Sequence, residues 1–125
     1  GFDLDLPFPP SVNGYWTPIV RGGKPANVMS KRGREYRTDV GWLCRRVPQA
    51  NRFADDDRIR VEITLYPPPG NRRDVDNYCK GVFDALTHAQ MWVDDSQIDD
   101  LRVVRGANRT PGALKLRACL MSAEF

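Results

Sequence analysis

The chain has 125 residues, 41% hydrophobic and 28% charged, a balance typical of a single folded domain (residues 1–125) with a modest core. Its net charge is only +3, but 15 of its 19 basic residues are arginines. The planar guanidinium of arginine suits phosphate contact. The alternative is that the bias reflects an arginine-rich proteome. The three cysteines are widely spaced, which disfavours disulfides and a zinc site and favours free thiols in a reducing cytoplasm. A single histidine disfavours histidine-based catalysis. The sequence shows no long apolar run and no leader segment, which disfavours a membrane span.

The N-terminal part predicts a strand followed by a long loop. Residues 2–6 alternate apolar and acidic side chains, which is typical of a half-buried strand, and prolines follow it. Residues 11–27 are rich in glycine and proline and carry Tyr15 and Trp16 together with basic residues. We expect a loop that contacts DNA through aromatic stacking and phosphate binding. The alternative is that the aromatic rings pack the loop onto the core.

A basic helix is predicted over residues 31–46. Ser30 is a suitable N-cap, Pro48 ends the helix, and apolar residues recur at intervals of three and four. The remaining positions are strongly basic: Lys31, Arg32, Arg34, Arg37, Arg45 and Arg46. Such a surface suits a DNA backbone, since phosphate neutralisation dominates nucleic-acid affinity. The alternative is a solvated face without a ligand.

Alternating apolar residues predict strands at 58–66 and 113–121, and residues 98–105 are predicted as a further strand. The last two are expected to form an antiparallel hairpin. The order β-α-β-α-β-β predicts a single α+β domain, with a mixed four-stranded sheet and two helices packed on one face. The second face of the sheet would be either covered or polar.

The stretch 71–97 is the most informative part of the chain. A helix is predicted in this stretch, and it places Asp76, Lys80, Asp84 and His88, which recur every four residues, on one face. The opposite face is an apolar stripe suited to packing on a sheet. At the end of the helix, His88 would interact with the helix dipole.

The acids in this stretch predict phosphodiester chemistry. Asp74 and Asp76 are one residue apart, a spacing that puts both carboxylates on the same side of an extended segment. Paired carboxylates bind a hard cation such as Mg²⁺, which activates water and neutralises phosphoryl charge. Lys80 would stabilise the transition state, and Arg72 and Arg73 would grip the DNA backbone. The alternative is that the acids are helix caps and surface ion pairs.

The order of motifs resembles one known family. The chain carries R-R-D-V-D-N, then a lysine, then F-D-A-L-T and W-V-D-D-S-Q, and its opening segment reads P-P-S-V-N-G-Y-W. This series resembles the RusA family of Holliday-junction resolvases, and the resemblance runs over nearly the whole chain. It implies a homodimer that resolves four-way DNA junctions by paired symmetric nicks, in recombination and repair, inside a bacterial or phage-infected cell.

The resemblance also implies roles for particular residues. It places the essential acids, as metal ligands, at Asp74, Asp76 and Asp95, and the essential lysine at Lys80. The metal would be Mg²⁺ or Mn²⁺, with no organic cofactor. Asp94 is the less certain member of its acidic pair, since it could serve only to shape the turn. Two alternatives stay open: a metal nuclease for other branched DNA or for RNA, and a non-catalytic DNA-binding protein.

Overall fold

The computed structural model describes residues 1–70 and 73–125. Within them lie six strands, namely β1 (Phe2–Pro7), β2 (Trp16–Arg21), β3 (Lys24–Met29), β4 (Ile59–Tyr66), β5 (Ile98–Arg105) and β6 (Ala113–Leu120). The α-helices are α1 (Val12–Tyr15), α2 (Lys31–Cys44) and α3 (Cys79–His88), and short 3-10 turns occur at Gln49–Asn51, Val75–Tyr78 and Asp95–Gln97. No helix among the described residues has the length and apolar character needed to cross a membrane.

The main sheet has four strands in the order β1-β6-β4-β5. Strand β6 pairs antiparallel with both β1 and β4, whereas β5 pairs parallel with β4. This confirms the predicted α+β domain with a mixed four-stranded sheet. A parallel pair needs a long crossover connection, and α3 provides it between β4 and β5.

The predicted β5–β6 hairpin is wrong, because β4 lies between these two strands. Ile63 in the middle of β4 pairs with Val103 of β5 on one side and with Leu116 of β6 on the other. An alternating pattern identifies a strand but not its neighbour, since pairing is decided by how the strands pack. Strand β6 buries its apolar residues inside the sheet, while β5 is mostly exposed and forms an edge.

The predicted loop at 11–27 is also wrong, because most of it folds into α1 and a hairpin. The Ser11 hydroxyl accepts a hydrogen bond from the Gly14 N–H at 3.1 Å and caps α1. Strands β2 and β3 then pair antiparallel around Gly22 and Gly23, whose φ angles are +58° and +76°. A two-residue turn with positive φ at both positions is the favoured hairpin geometry, so the Gly-Gly pair was a usable signal.

One face of the sheet carries the core. Strand β4 alternates buried and half-buried residues along its length, and its buried residues share a single cluster with those of α2 and α3. The outer face is polar, with ion pairs across β4 and β5 such as Arg60 to Asp100 at 3.0 Å and Arg102 to Glu62 at 3.9 Å. The sequence left open whether the second face of the sheet is covered or polar, and the structure shows that it is polar.

Candidate active site

The first two acids lie between β4 and α3 and do not cap a helix. Asp74 is extended (φ −84°, ψ 133°) and precedes the 3-10 turn that contains Asp76, and its side chain makes no capping hydrogen bond. Tyr78, which precedes α3, makes none either. The extended geometry predicted for both acids therefore ends at Asp74. The alternative that Asp74 and Asp76 serve as helix caps is therefore not supported by this geometry.

Lys80 and Asp95 come together on one side of α3. They line a common recess of about 380 Å³ with Phe83, Ile98 and Leu101. The recess lies where the first turn of α3 faces β5. The recess thus combines an ammonium and a carboxylate with an apolar floor.

Asp74 lies in a different place. It lines a small neighbouring recess with Arg73 and with Arg105, the last residue of β5, whereas the Lys80 recess reaches Leu101 on that strand. Arg105 follows Leu101 by four strand residues, which is about 13 Å. Among the described residues, no three His, Cys, Asp or Glu side chains form a group that could hold a metal ion.

The three acids and the lysine are left without protein partners within the described part of the chain. Asp74, Asp76 and Lys80 are exposed and Asp95 is half-buried, and none of them has a hydrogen bond or ion pair with another described side chain. The Asp76 charge is nevertheless felt locally: burial, followed by Asp76, raises the pKa of the Cys79 thiol. Unpaired carboxylates are free to accept an external cation.

A buried glutamine fixes the turn that carries Asp95. Gln97 is 3% exposed. Its Oε1 accepts hydrogen bonds from the backbone N–H groups of Val93 (2.9 Å) and Asp94 (3.0 Å). Its Nε2 donates to the carbonyls of Ala54 (2.6 Å) and Asp57 (3.0 Å). The W-V-D-D-S-Q motif included this residue, but its anchoring role was missed because the partners are distant in the chain.

Asp94 shapes the same turn. Its carboxylate accepts a hydrogen bond from the Ser96 N–H at 3.0 Å, which with the Gln97 side chain completes a capping box. Hydrogen bonding to Ser96 also lowers the pKa of Asp94 below its usual value. The structure therefore gives Asp94 the turn-shaping role that the sequence allowed for it.

Tyr15 is an anchor inside the protein. Its side chain is fully buried, and its hydroxyl donates to Asp84 Oδ2 at 2.5 Å. Arg37 also donates to this carboxylate, with Nη2 at 2.9 Å from Oδ2. Burial first, and then Asp84, raise the pKa of Tyr15. This favours the packing alternative for Tyr15. The same contacts occupy the Asp84 carboxylate, which the sequence placed on the open face of the helix.

Trp16 is half-buried, with its ring edge-on to Tyr15 at 5.2 Å between centroids.

The predicted DNA-contacting cations fall into two groups. Lys31 and Arg34 are exposed on α2, where Lys31 pairs loosely with Glu35 at 3.8 Å and Arg34 donates to the Met29 carbonyl at 2.8 Å. Arg32 and Arg73 line one recess of about 530 Å³ with Phe8 and Tyr78. Since Arg73 immediately precedes Asp74, this recess adjoins the acids. Arg72 lies outside the described residues.

An α+β domain with unpaired carboxylates, a neighbouring lysine and arginine-lined recesses has the characteristics of a nuclease-class enzyme. Residues 7–115 match the family described as Endodeoxyribonuclease RusA. The crossover junction endodeoxyribonuclease of Enterobacteria phage HK97 is 38% identical over 116 residues, covering 93% of this chain and 92% of the relative. The proteins of that name from Escherichia coli K12 and Enterobacteria phage 82 are 35% identical over 123 residues, covering 98% of both chains. The chain belongs to the RusA family, which confirms the resemblance and the endodeoxyribonuclease activity class.

Proposed function

We propose that this protein is a Mg²⁺-dependent endonuclease that resolves four-way DNA junctions by paired symmetric nicks. It would act as a homodimer in recombination and repair, in the cytoplasm of a bacterial or phage-infected cell, without an organic cofactor. The observation that supports this most directly is the placement of unpaired acids and Lys80 along the connection between β4 and β5. A two-fold dimer suits a junction that has two equivalent strands to cut.

The acids have the chemistry that a hard divalent cation requires, although the described residues do not gather three of them into one cluster. Mg²⁺ prefers carboxylate oxygens and keeps several waters, and it needs only one or two protein carboxylates when phosphate oxygens complete its shell. Asp74, Asp76 and Asp95 are the proposed ligands for Mg²⁺ or Mn²⁺. When bound, such an ion lowers the pKa of a water molecule and neutralises phosphoryl charge.

Side chains of the chain itself would handle the substrate. The Lys80 ammonium is exposed beside Asp95, so it can contact the negative charge that develops on the phosphoryl oxygens. Arg32 and Arg73 are the proposed contacts to the backbone next to the scissile phosphate. Lys31 and Arg34 extend this positive surface along α2 and add sequence-independent affinity.

The first experiment is cleavage of a labelled synthetic four-way junction with Mg²⁺ and with EDTA, beside a linear duplex of the same sequence. Paired nicks that need the metal and spare the duplex are expected. Asp76→Asn should lower cleavage by at least about 100-fold, the size of effect seen when one electrostatic stabiliser is lost, while junction binding survives. Asp56→Asn, at an exposed aspartate elsewhere, is the matched control and should cleave normally.

Other outcomes would contradict the proposal. Preferential cutting of flaps or RNA would favour a nuclease for another branched substrate. Tight junction binding that is indifferent to metal, with no cleavage in Mg²⁺ or Mn²⁺, would favour a non-catalytic DNA-binding protein. Normal cleavage by Asp76→Asn would remove the metal-ligand assignment.

A further inference from the structure

A recess that the proposed active site does not use lies between the C-terminal parts of α2 and α3. It measures about 370 Å³, and its lining includes Gly41, Trp42, Arg45 and His88. Three arginines contribute to this lining, and no aspartate or glutamate does among the described residues. His88 follows Lys80 by eight residues on α3, so the recess is about 12 Å along the helix from the proposed reaction centre.

Trp42 presents an open aromatic surface to this recess. It is 61% exposed, whereas Trp92 is 1% exposed in the core. The guanidinium of Arg45 lies over one face of the indole, 4.1 Å from the ring centroid, so a base would stack on the opposite face. An exposed aromatic ring beside an arginine is the combination with which proteins hold single-stranded nucleic acid, the ring stacking on a base and the cation meeting the backbone.

Arg45 is the arginine of this recess that remains available to a ligand. Arg37 is paired with Asp84 at 2.9 Å. Arg52 donates to backbone carbonyls, including those of Cys44 (2.9 Å) and Ala89 (3.0 Å). Within the described part of the chain, Arg45 makes only the contact with Trp42 and a backbone N–H bond that ends α2.

Gly41 lines the recess and faces open space, without a packing contact among the described residues that requires a glycine. Glycine inside a helix is less stable than alanine, and packing explains two other helical glycines here. A Cβ on Gly33 would lie 2.5 Å from the Tyr15 carbonyl oxygen, and one on Gly81 would lie 2.6 Å from the Tyr15 ring. A Cβ on Gly41 would meet nothing within 4 Å. A bare backbone with open space above it permits the close approach of a ligand.

We propose that this recess is an accessory DNA site that takes one unstacked nucleobase on Trp42 and its phosphate on Arg45. Continuous base stacking is interrupted where strands exchange in branched DNA, so a base is easiest to unstack there, and the positive lining favours a nucleic acid over a protein partner. The inference rests on the proposed function, since it assumes that branched DNA is the substrate. It places a substrate-binding surface at the C-terminal end of α3 and the proposed phosphodiester cleavage at its N-terminal end.

Tryptophan fluorescence tests the site directly. The protein is titrated in EDTA with a four-way junction that carries unpaired nucleotides at its centre, and with a linear duplex. Emission should be quenched by the junction and much less by the duplex. Trp42→Phe should lose the quench while keeping most of the affinity. Trp42→Ala should weaken junction binding by about five- to tenfold, the lower range for loss of one base stack.

A steric pair of variants provides the second measurement. Gly41→Leu fills the recess and should weaken junction binding about as much as Trp42→Ala, while the cleavage rate at saturating junction stays unchanged. Gly41→Ala leaves the recess open and should bind normally. Both substitutions place a better helix former on α2, so lost helix stability cannot explain a difference between them.

The outcomes separate this inference from the function on which it rests. Junction binding that leaves Trp42 emission unchanged, or that tolerates both Trp42→Ala and Gly41→Leu, would overturn the accessory site alone. A change of oligomeric mass in Trp42→Ala by sedimentation would also overturn it, since Trp42 would then belong to a contact between copies. Wild-type protein that neither binds nor cuts the junction would instead overturn the proposed function.

Discussion

At the scale of single residues, the sequence predicts which side chains can carry out chemistry better than it predicts which side chains are exposed. Asp74 and Asp76 could be singled out because charge and spacing are properties of the local sequence, whereas Asp95 was singled out by the resemblance to a known family. Tyr15 could not be placed in the same way, because its burial depends on contacts with two helices, each of which offers a glycine at the point of contact. A surface aromatic and an anchoring aromatic have the same sequence signature until the packing is known.

Tyr15→Phe tests the anchoring role. The substitution removes the hydroxyl that donates to Asp84 but keeps the ring, so the free energy of unfolding should fall by about 1 kcal/mol in urea denaturation. Junction affinity should not change, because the buried ring does not reach DNA. Tyr66→Phe is the control, since the Tyr66 hydroxyl has no hydrogen bond with the described residues. Weaker junction binding with unchanged stability would return Tyr15 to the DNA interface.

At the scale of elements, the amphipathic segments were predictable and the exposed ones were not. Strand β4 and helix α3 each bury one face, so their periodicity can be seen in the sequence. The hairpin β2–β3 buries none of its residues fully, so it lacks an alternating pattern. Strand pairing depends on tertiary packing, which explains why β5 was assigned to the wrong neighbour.

Gln97→Leu tests whether the turn before β5 positions Asp95. It leaves two N–H groups and two carbonyls without their side-chain partner, so stability should fall by at least about 2 kcal/mol. Cleavage at saturating junction should fall more than junction affinity, because the carboxylate would lose its fixed position. Gln49→Leu, at an exposed site, should change neither quantity. Unchanged cleavage in folded Gln97→Leu would rule out a positioning role.

At the scale of the whole molecule, the order of the strands decides which parts are most stable. Strands β6 and β4 have hydrogen-bonded neighbours on both sides, whereas β1 and β5 form the edges and β2–β3 is a separate two-stranded sheet. The proposed site lies between an interior strand and an edge strand. Its acids are therefore attached to a rigid strand on one side and to a more accessible one on the other.

Amide hydrogen exchange can check this order. Amides of β4 and β6 should exchange slowest, those on the outer edge of β5 faster, and those of β2–β3 fastest, because opening costs less where fewer buried contacts are lost. Mass spectrometry of peptic peptides resolves these segments. Equal protection of β5 and β6 would contradict an edge position for β5 and support the hairpin that the sequence suggested.

The hairpin β2–β3 has a consequence for how related chains diverge. It is tied to the domain at its base, where Tyr15 is buried and Ser30 bonds to the Gly14 carbonyl at 2.6 Å, while Val20 near its tip is 77% exposed. A projection held only at its base can change length and charge without disturbing the core. We therefore expect insertions, deletions and altered charge among natural relatives to concentrate around residues 20–25.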